Sequence, residues 1–272
     1  MQAWRERWAN VRALLMACHP LPAAAVTTLT TVLAAAAGVG GPLLWLLAAA
    51  VLSGQLCVGW VNDFLDRDRD RAVGRHDKPL ATGVLRPRTV ARAAAAAGAA
   101  CLPLSLSLGV AAGVCHLVAV VAALGYDLGL KRTVWSWLPY AVAFGLLPVV
   151  VWLVSPDGGL PPAWLVAAGS LLGVGAHGAN VLPDYERDRS TEVMGLPQRL
   201  GLPMLRLATA GALLAALALL TFGPPGSPQA WDWAAFGVGC VLTLVAAAGS
   251  FPAVIAIAAL AVAVLVVRGM VG

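Results

Sequence analysis

Polar and apolar positions alternate along this chain on the scale of whole helices, not single turns. Uninterrupted apolar runs cover about residues 17–38, 42–62, 89–108, 110–130, 134–154, 161–182, 201–222, 231–249 and 251–270. Each is near the ~20 residues a helix needs to cross a hydrocarbon core of about 30 Å. None leaves a polar face for water, as a surface helix of a soluble domain would. The pattern predicts an all-α integral membrane fold of nine transmembrane helices, in a single domain over residues 1–272. Composition agrees, with 60% hydrophobic and 11% charged residues, against about 25% charged in soluble domains.

The polar stretches between the runs give the orientation. With the N-terminus inside, three cations fall in the tail before the first span (Arg5, Arg7, Arg12). Eight fall in or beside loop 2–3, two in loop 4–5 and four in or beside loop 6–7; of the 18 Lys and Arg residues only Arg268 falls elsewhere. An excess of Lys and Arg in cytoplasmic loops is the positive-inside pattern. The net charge of +5 thus follows from topology and gives no reason to invoke nucleic acid. A basic start before an apolar run is also the form of a cleaved leader, but the polar His19-Pro20 pair favours a retained helix. Five cysteines lie in apolar runs without C-x-x-C spacing and read as small core residues.

Two acidic segments carry the chemistry. Asn62, Asp66 and Asp70 stand at i, i+4 and i+8, and so do Asn180, Asp184 and Asp188. On a helix such residues share one face and form a stripe about 12 Å long. Carboxylates stacked in this way repel one another unless a divalent cation lies between them, and oxygen-rich clusters suit Mg²⁺. Mg²⁺ held by one or two carboxylates keeps positions open for phosphate and water. Both stripes fall on the cytoplasmic side, so facing stripes would hold a diphosphate at a membrane mouth.

The loops that follow each stripe share a composition. Residues 71–83 read R-A-V-G-R-H-D-K-P-L-A-T-G, and residues 191–201 read T-E-V-M-G-L-P-Q-R-L-G. Basic residues with Pro and Gly turn formers predict shaped cytoplasmic caps, loops 2–3 and 6–7. The same order of stripe and cap suggests a pseudo-repeat of roughly four helices. Lys78 and Lys131 are the two lysines in an Arg-rich chain, each a compact point charge. Tyr126 precedes Lys131 at the inner end of the fourth span.

These residues resemble the UbiA superfamily of intramembrane prenyltransferases. The N-D-x-x-D-x-x-x-D run at Asn62–Asp70 and the D-x-x-x-D run at Asp184–Asp188 resemble its two aspartate motifs. K-P-L-A-T-G at Lys78–Gly83 looks like its loop motif, and Tyr126 with Lys131 is similar to its tyrosine-to-lysine pair. The resemblance covers about residues 12–205. It implies nine transmembrane helices around a central cavity, and two Mg²⁺ ions held through Asn62, Asp66, Asp70, Asn180, Asp184 and Asp188. It implies diphosphate contacts from Arg75, Lys78, Lys131, Arg187 and Arg199, and catalytic roles for Asp63, Tyr126 and Lys131. The prenyl chain would lie in an apolar tunnel walled by aromatic faces, with Trp60, Trp135, Trp137 and Trp152 as candidates for cation–π contact.

The implied reaction is Mg²⁺-dependent transfer of a prenyl group from an isoprenyl diphosphate to an aromatic or other lipophilic acceptor. Partners are then that diphosphate, the acceptor and membrane lipids, with no nucleic acid and no obligate protein partner. The implied location is the cell membrane, with the N-terminus and the mouth cytoplasmic. A terpene cyclase of the same superfamily, which uses no acceptor, shares every one of these motifs. A transporter would want its acids nearer the midplane. The paired-stripe reading further expects Asn62 and Asn180 to lie deepest, and the Arg75–Lys78 stretch to approach Arg187 and Arg199. It also expects loss of one acid to relieve repulsion without harming the apo bundle.

Overall fold

The computed structural model describes residues 1–269; within the first helix, side chains are described for Met1, Trp4, Trp8 and from Asn10 onward. Arg5 and Arg7 of the N-terminal charge group, and residue 270 at the end of the ninth run, lie outside the described residues. The elements are α1 (Gln2–Ala17), α2 (Pro20–Ala36), α3 (Gly41–Ala72), α4 (Pro87–Leu106), α5 (Val110–Leu128), α6 (Leu138–Val154), α7 (Ala163–Val181), α8 (Tyr185–Ser190), α9 (Leu196–Leu200), α10 (Leu202–Phe222), α11 (Ala230–Ala247) and α12 (Phe251–Val267). Each apolar run falls on one of these helices, and no strand occurs among the described residues. Proline at the first or second position opens α2, α3, α4, α6, α9, α10 and α12. Its fixed φ suits a first turn, where its missing N–H breaks no bond.

Six segments are long and apolar enough to cross a membrane: α3, α4, α5, the α7–α8 stretch Ala163–Ser190, α10 and α11. Asn10–Ala17 and α2 form one further candidate, bent by 66° at their junction, and α6 and α12 are shorter apolar helices. The outer faces carry large apolar side chains. Val121, Val241, Leu244 and Leu207 are each more than 60% exposed, as lipid-facing positions are.

The N-terminal segment, a tail by its charge pattern, is instead helical: α1 runs up to the break at His19, which takes a left-handed φ of 55°. The break is held against α3. A Cβ at Gly59 would stand 2.2 Å from Cys18 O, so only glycine lets the two backbones meet there. His19 is thereby placed beside Asn62, one turn along α3. Gly178 does the same for α7 against α10, where a Cβ would meet Thr209 Oγ1 at 2.1 Å. Away from the acidic segments, Leu33, Leu47, Val150, Leu165, Leu220 and Leu265 form a core joining α2, α3, α6, α7, α10 and α12. At that same far end Arg268, the cation outside the positive-inside pattern, donates to Asp232 at 2.7 Å. Both side chains are buried, and Asp232 also caps α11 by accepting from Gln229 N at 2.7 Å.

Candidate active site

Helix α3 runs 32 residues and has no proline after Pro42, so it continues past its apolar half and carries the first triplet out of it. Asp66 is buried; its Oδ1 accepts from Lys131 Nζ at 2.6 Å and its Oδ2 from Arg69 at 3.0 Å. Lys131 sits on a 3-10 turn, Leu130–Arg132, that follows α5. Asn62 turns its amide nitrogen to Asp127 Oδ1 at 2.7 Å and to Asp66 Oδ2 at 3.3 Å. Asp70 lies 3.9 Å from Arg69. Asp63 faces another way: it is 1% exposed and accepts from Lys78 Nζ at 2.9 Å, and its Oδ2 has no partner. Lys78 Nζ is also 2.9 Å from His19 Nε2, which lies 3.0 Å from Asn62 Oδ1.

The second triplet does not form one helical stripe, contrary to the i, i+4, i+8 expectation. Pro183 interrupts it. Helix α7 ends at Val181, a 3-10 turn spans Leu182–Asp184, and α8 begins at Tyr185. A proline inside a helix removes a backbone donor and clashes with the preceding turn. Asn180 donates to Tyr140 Oη at 3.3 Å. Asp184 accepts from Arg187 and from Arg75 Nη1 at 3.4 Å. Asp188 lies 3.7 Å from Arg69 and accepts from Gln198 Nε2 at 3.1 Å.

The segments nevertheless meet. Arg69 touches Asp66 of the first and Asp188 of the second, and Arg75 reaches from the loop after α3 to Asp184. Arg75 and Arg187 therefore converge on one carboxylate, as expected. Arg199 does not join them; it is exposed and donates to Met194 O at 3.0 Å. Arg75 also grips Asp77 through two bonds of 2.8 and 2.7 Å. Those bonds hold the Asp77 carboxyl down at about 2 and raise the guanidinium further.

Beneath this mouth lies a chamber of about 210 Å³. Asn62, Asp127, Asn180, Tyr126 and Tyr140 line it, together with apolar residues such as Val26, Val51 and Leu147. Tyr126 packs edge-on against Tyr140 and His177, at 5.2 and 5.5 Å between ring centres. The aromatic wall is Tyr126, Tyr140, Phe144 and Phe251, and none of the four candidate tryptophans lines it. Trp60 donates to Leu14 O at 2.9 Å, Trp135 is 56% exposed, and Trp152 packs on the far core. Tryptophan number alone misled here, because most membrane tryptophans pack or anchor. Asp127 and Arg69 are two site residues not singled out in the sequence, as are Tyr140 and Gln198. The first two adjoin residues already singled out: Asp127 follows Tyr126, and Arg69 stands three after Asp66, on its helical face.

The donor chemistry suits a hard divalent cation, with carboxylate and amide oxygens and no sulfur. Among the described residues no three acidic, His or Cys groups converge on a point; Arg69, Lys131 and Arg75 pair with the carboxylates.

A multi-pass helical membrane protein, with two ion-paired acidic segments roofing an apolar chamber, is the class these features define. The sequence model of the UbiA prenyltransferase family matches residues 24–270, and the chain belongs to that family. It is 34% identical over 139 residues to a protoheme IX farnesyltransferase of Leifsonia xyli subsp. xyli (strain CTCB07), a match covering 47% of this chain and 44% of that one. It thus matches less than half the length of that curated relative. In fold it is similar to a UbiA homolog from Archaeoglobus fulgidus bound to GPP and Mg²⁺, with TM-score 0.72, 16% identity and coverage of 95% of this chain and 98% of that one. It is also similar to an apo UbiA homolog from Aeropyrum pernix K1, with TM-score 0.69, 20% identity and coverage of 90% and 97%.

Proposed function

We propose that this protein transfers a prenyl group from an isoprenyl diphosphate to a lipophilic acceptor inside the membrane. The observation that carries the reading is the meeting of two acidic segments, distant in sequence, through Arg69 and Arg75 at the mouth of an apolar chamber. The names of the relatives support it, since one is a farnesyltransferase and another was bound to GPP and Mg²⁺. In this reading α2 to α7 and α10 to α12 supply nine crossings, with α7–α8 as one. The mouth faces the cytoplasm, and the loops after α3 and α8 cap it.

Asp66, Asp70, Asp184 and Asp188, with the Asn62 and Asn180 amides, would hold Mg²⁺, which would supply charge neutralisation for the leaving diphosphate. The protein's own groups do the rest. Lys131 and Arg75, now on carboxylates, turn to phosphate oxygens, joined by Arg69 and Arg187. Preorganised cations in a dry site oppose charge that develops as the bond breaks. Lys78 keeps to Asp63 and orients His19 and Asn62, so Asp63 and Lys78 act as positioning residues. Tyr126 and Tyr140 present ring faces to the allylic cation, and the apolar wall excludes water until the acceptor attacks.

The test is incubation of the purified protein with Mg²⁺ and geranylgeranyl diphosphate, first without and then with a phenolic acceptor. Release of diphosphate only after the phenol is added supports transfer. A cyclised hydrocarbon or alcohol without acceptor points to the cyclase, and no release under either condition overturns both readings.

A further inference from the structure

We propose that the chamber's inner end binds a hydroxyl group carried by an elongated lipophilic acceptor, with His116 as the hydrogen-bond acceptor; this rests on the prenyl-transfer reading. His116, on α5, is 3% exposed, and its ring lines the chamber. Its Nδ1 lies 2.8 Å from Ser105 Oγ, while Ser105 donates its own proton to Cys101 O at 2.6 Å. A hydroxyl already donating elsewhere accepts from the imidazole. Nδ1 therefore carries the hydrogen and Nε2 keeps a bare lone pair, a tautomer assigned from this network. No donor among the described residues reaches Nε2. Gly54 packs close to that ring edge, where a Cβ would meet Val120 Cγ2 at 2.8 Å, His116 Cε1 at 3.3 Å and Nε2 at 3.4 Å.

The wall around this lone pair is otherwise apolar, with Val51, Ala119 and Val120, apart from Gln55 beside Gly54. A lone pair facing an apolar chamber gains no hydrogen bond from a hydrocarbon ligand. An ionisable side chain inside a membrane protein marks a functional position by default. A prenyl tail presents only C–H bonds here, so the matching O–H belongs to the other ligand. Asn62, at the mouth, stands seven residues beyond Gln55 on unbroken α3, about 10 Å along its axis. The acceptor therefore carries a hydroxyl roughly that far from the atom that attacks the prenyl carbon.

Imidazole nitrogen NMR on isotope-labelled histidine, in the full chain in lipid nanodiscs, tests this directly. The signal lost in His116→Phe identifies the residue. Para-phenylphenol, a rigid lipophilic probe with one hydroxyl, should move the His116 Nε2 resonance; its methyl ether, lacking the proton, should leave it in place. His116→Phe should weaken phenol binding about tenfold and leave ether binding unchanged. His116→Gln, which restores an acceptor, should retain the preference for the phenol and serves if the Phe variant fails to fold. Equal shifts from both probes, no shift from either, or full phenol affinity in folded His116→Phe would overturn the proposal. None of these readouts needs a prenyl diphosphate. A chain with an intact hydroxyl site that never releases diphosphate would overturn the transfer reading alone.

Discussion

Asp66 and Asp184 hold matching places in their triplets, yet the fold treats them differently. Asp66 is buried on an unbroken helix between Lys131 and Arg69, at 2.6 and 3.0 Å. Asp184 ends a 3-10 turn, its side chain is 39% exposed, and its partners are Arg75, from a loop, and Arg187, one turn along. One carboxylate is fixed by the scaffold. The other sits where the backbone is interrupted and the cations arrive on long side chains, 19% and 40% exposed. In the proposed function one diphosphate would be gripped from both sides, by a rigid jaw and an adjustable one, and Pro183 marks the second.

The largest effects should come from the two aspartates. Asp66→Ala and Asp184→Ala should each lower kcat/KM on the order of a thousandfold, as loss of a principal charge-stabilising group does. Their stabilities should differ. Removing Asp66 strands a buried ammonium, a loss of about 3–5 kcal/mol, whereas removing Asp184 breaks exposed pairs that contribute about 1 kcal/mol or less. Thermal unfolding in detergent measures this. The simple expectation of relieved repulsion neglected the cations already seated between the acids, and equal melting temperatures would restore it.

Next in size, Lys131→Ala should reduce turnover about a hundredfold, and Arg199→Ala by no more than about twofold. Lys131 is buried against Asp66, whereas Arg199 bonds its own loop. Comparable losses in steady-state kinetics would mean that Arg199 swings into the mouth when substrate binds.

A smaller change sharpens the contrast between the segments. Pro183→Ala permits α7 to continue straight, which rotates Asp184 and Asp188 relative to Asn180. Misplacing groups that must meet one substrate should cost about tenfold in kcat, with little loss of stability. Unchanged kcat would show that the break at Pro183 plays no part in positioning.

The apolar runs made the helices legible, since a bilayer demands length and hydrophobicity that few residues disguise. The two triplets were legible as a pair because matching spacing survives even where one of them is not helical. Their different geometry was less so: Pro183 stands in plain view, but a regular i, i+4, i+8 spacing invites a helix drawn through it. The ion pairs were hidden for another reason. Arg69 reads as one more loop cation until tertiary packing sets Asp188 against it. His116 is a lone polar letter in an apolar run, and its meaning depends on Ser105 and Gly54, which only packing brings together.

The smallest effect is an absence of change. Two bonds from Arg75 hold Asp77 down at about 2, below the ordinary aspartate value of about 3.9. A depressed carboxyl contributes its full stabilisation above that ordinary value and loses it only as the pH falls toward about 2. The turn built on Lys78 N to Arg75 O and Thr82 N to Lys78 O, at 3.3 and 3.1 Å, should therefore keep its amide-exchange protection from pH 8 to pH 5, once the intrinsic rate is allowed for. Asp77→Asn should loosen it by less than about 1 kcal/mol, because the clasp is exposed. Protection that falls across that range in the wild type would show that another group holds the loop, and that Arg75 reaches Asp184 without help from Asp77.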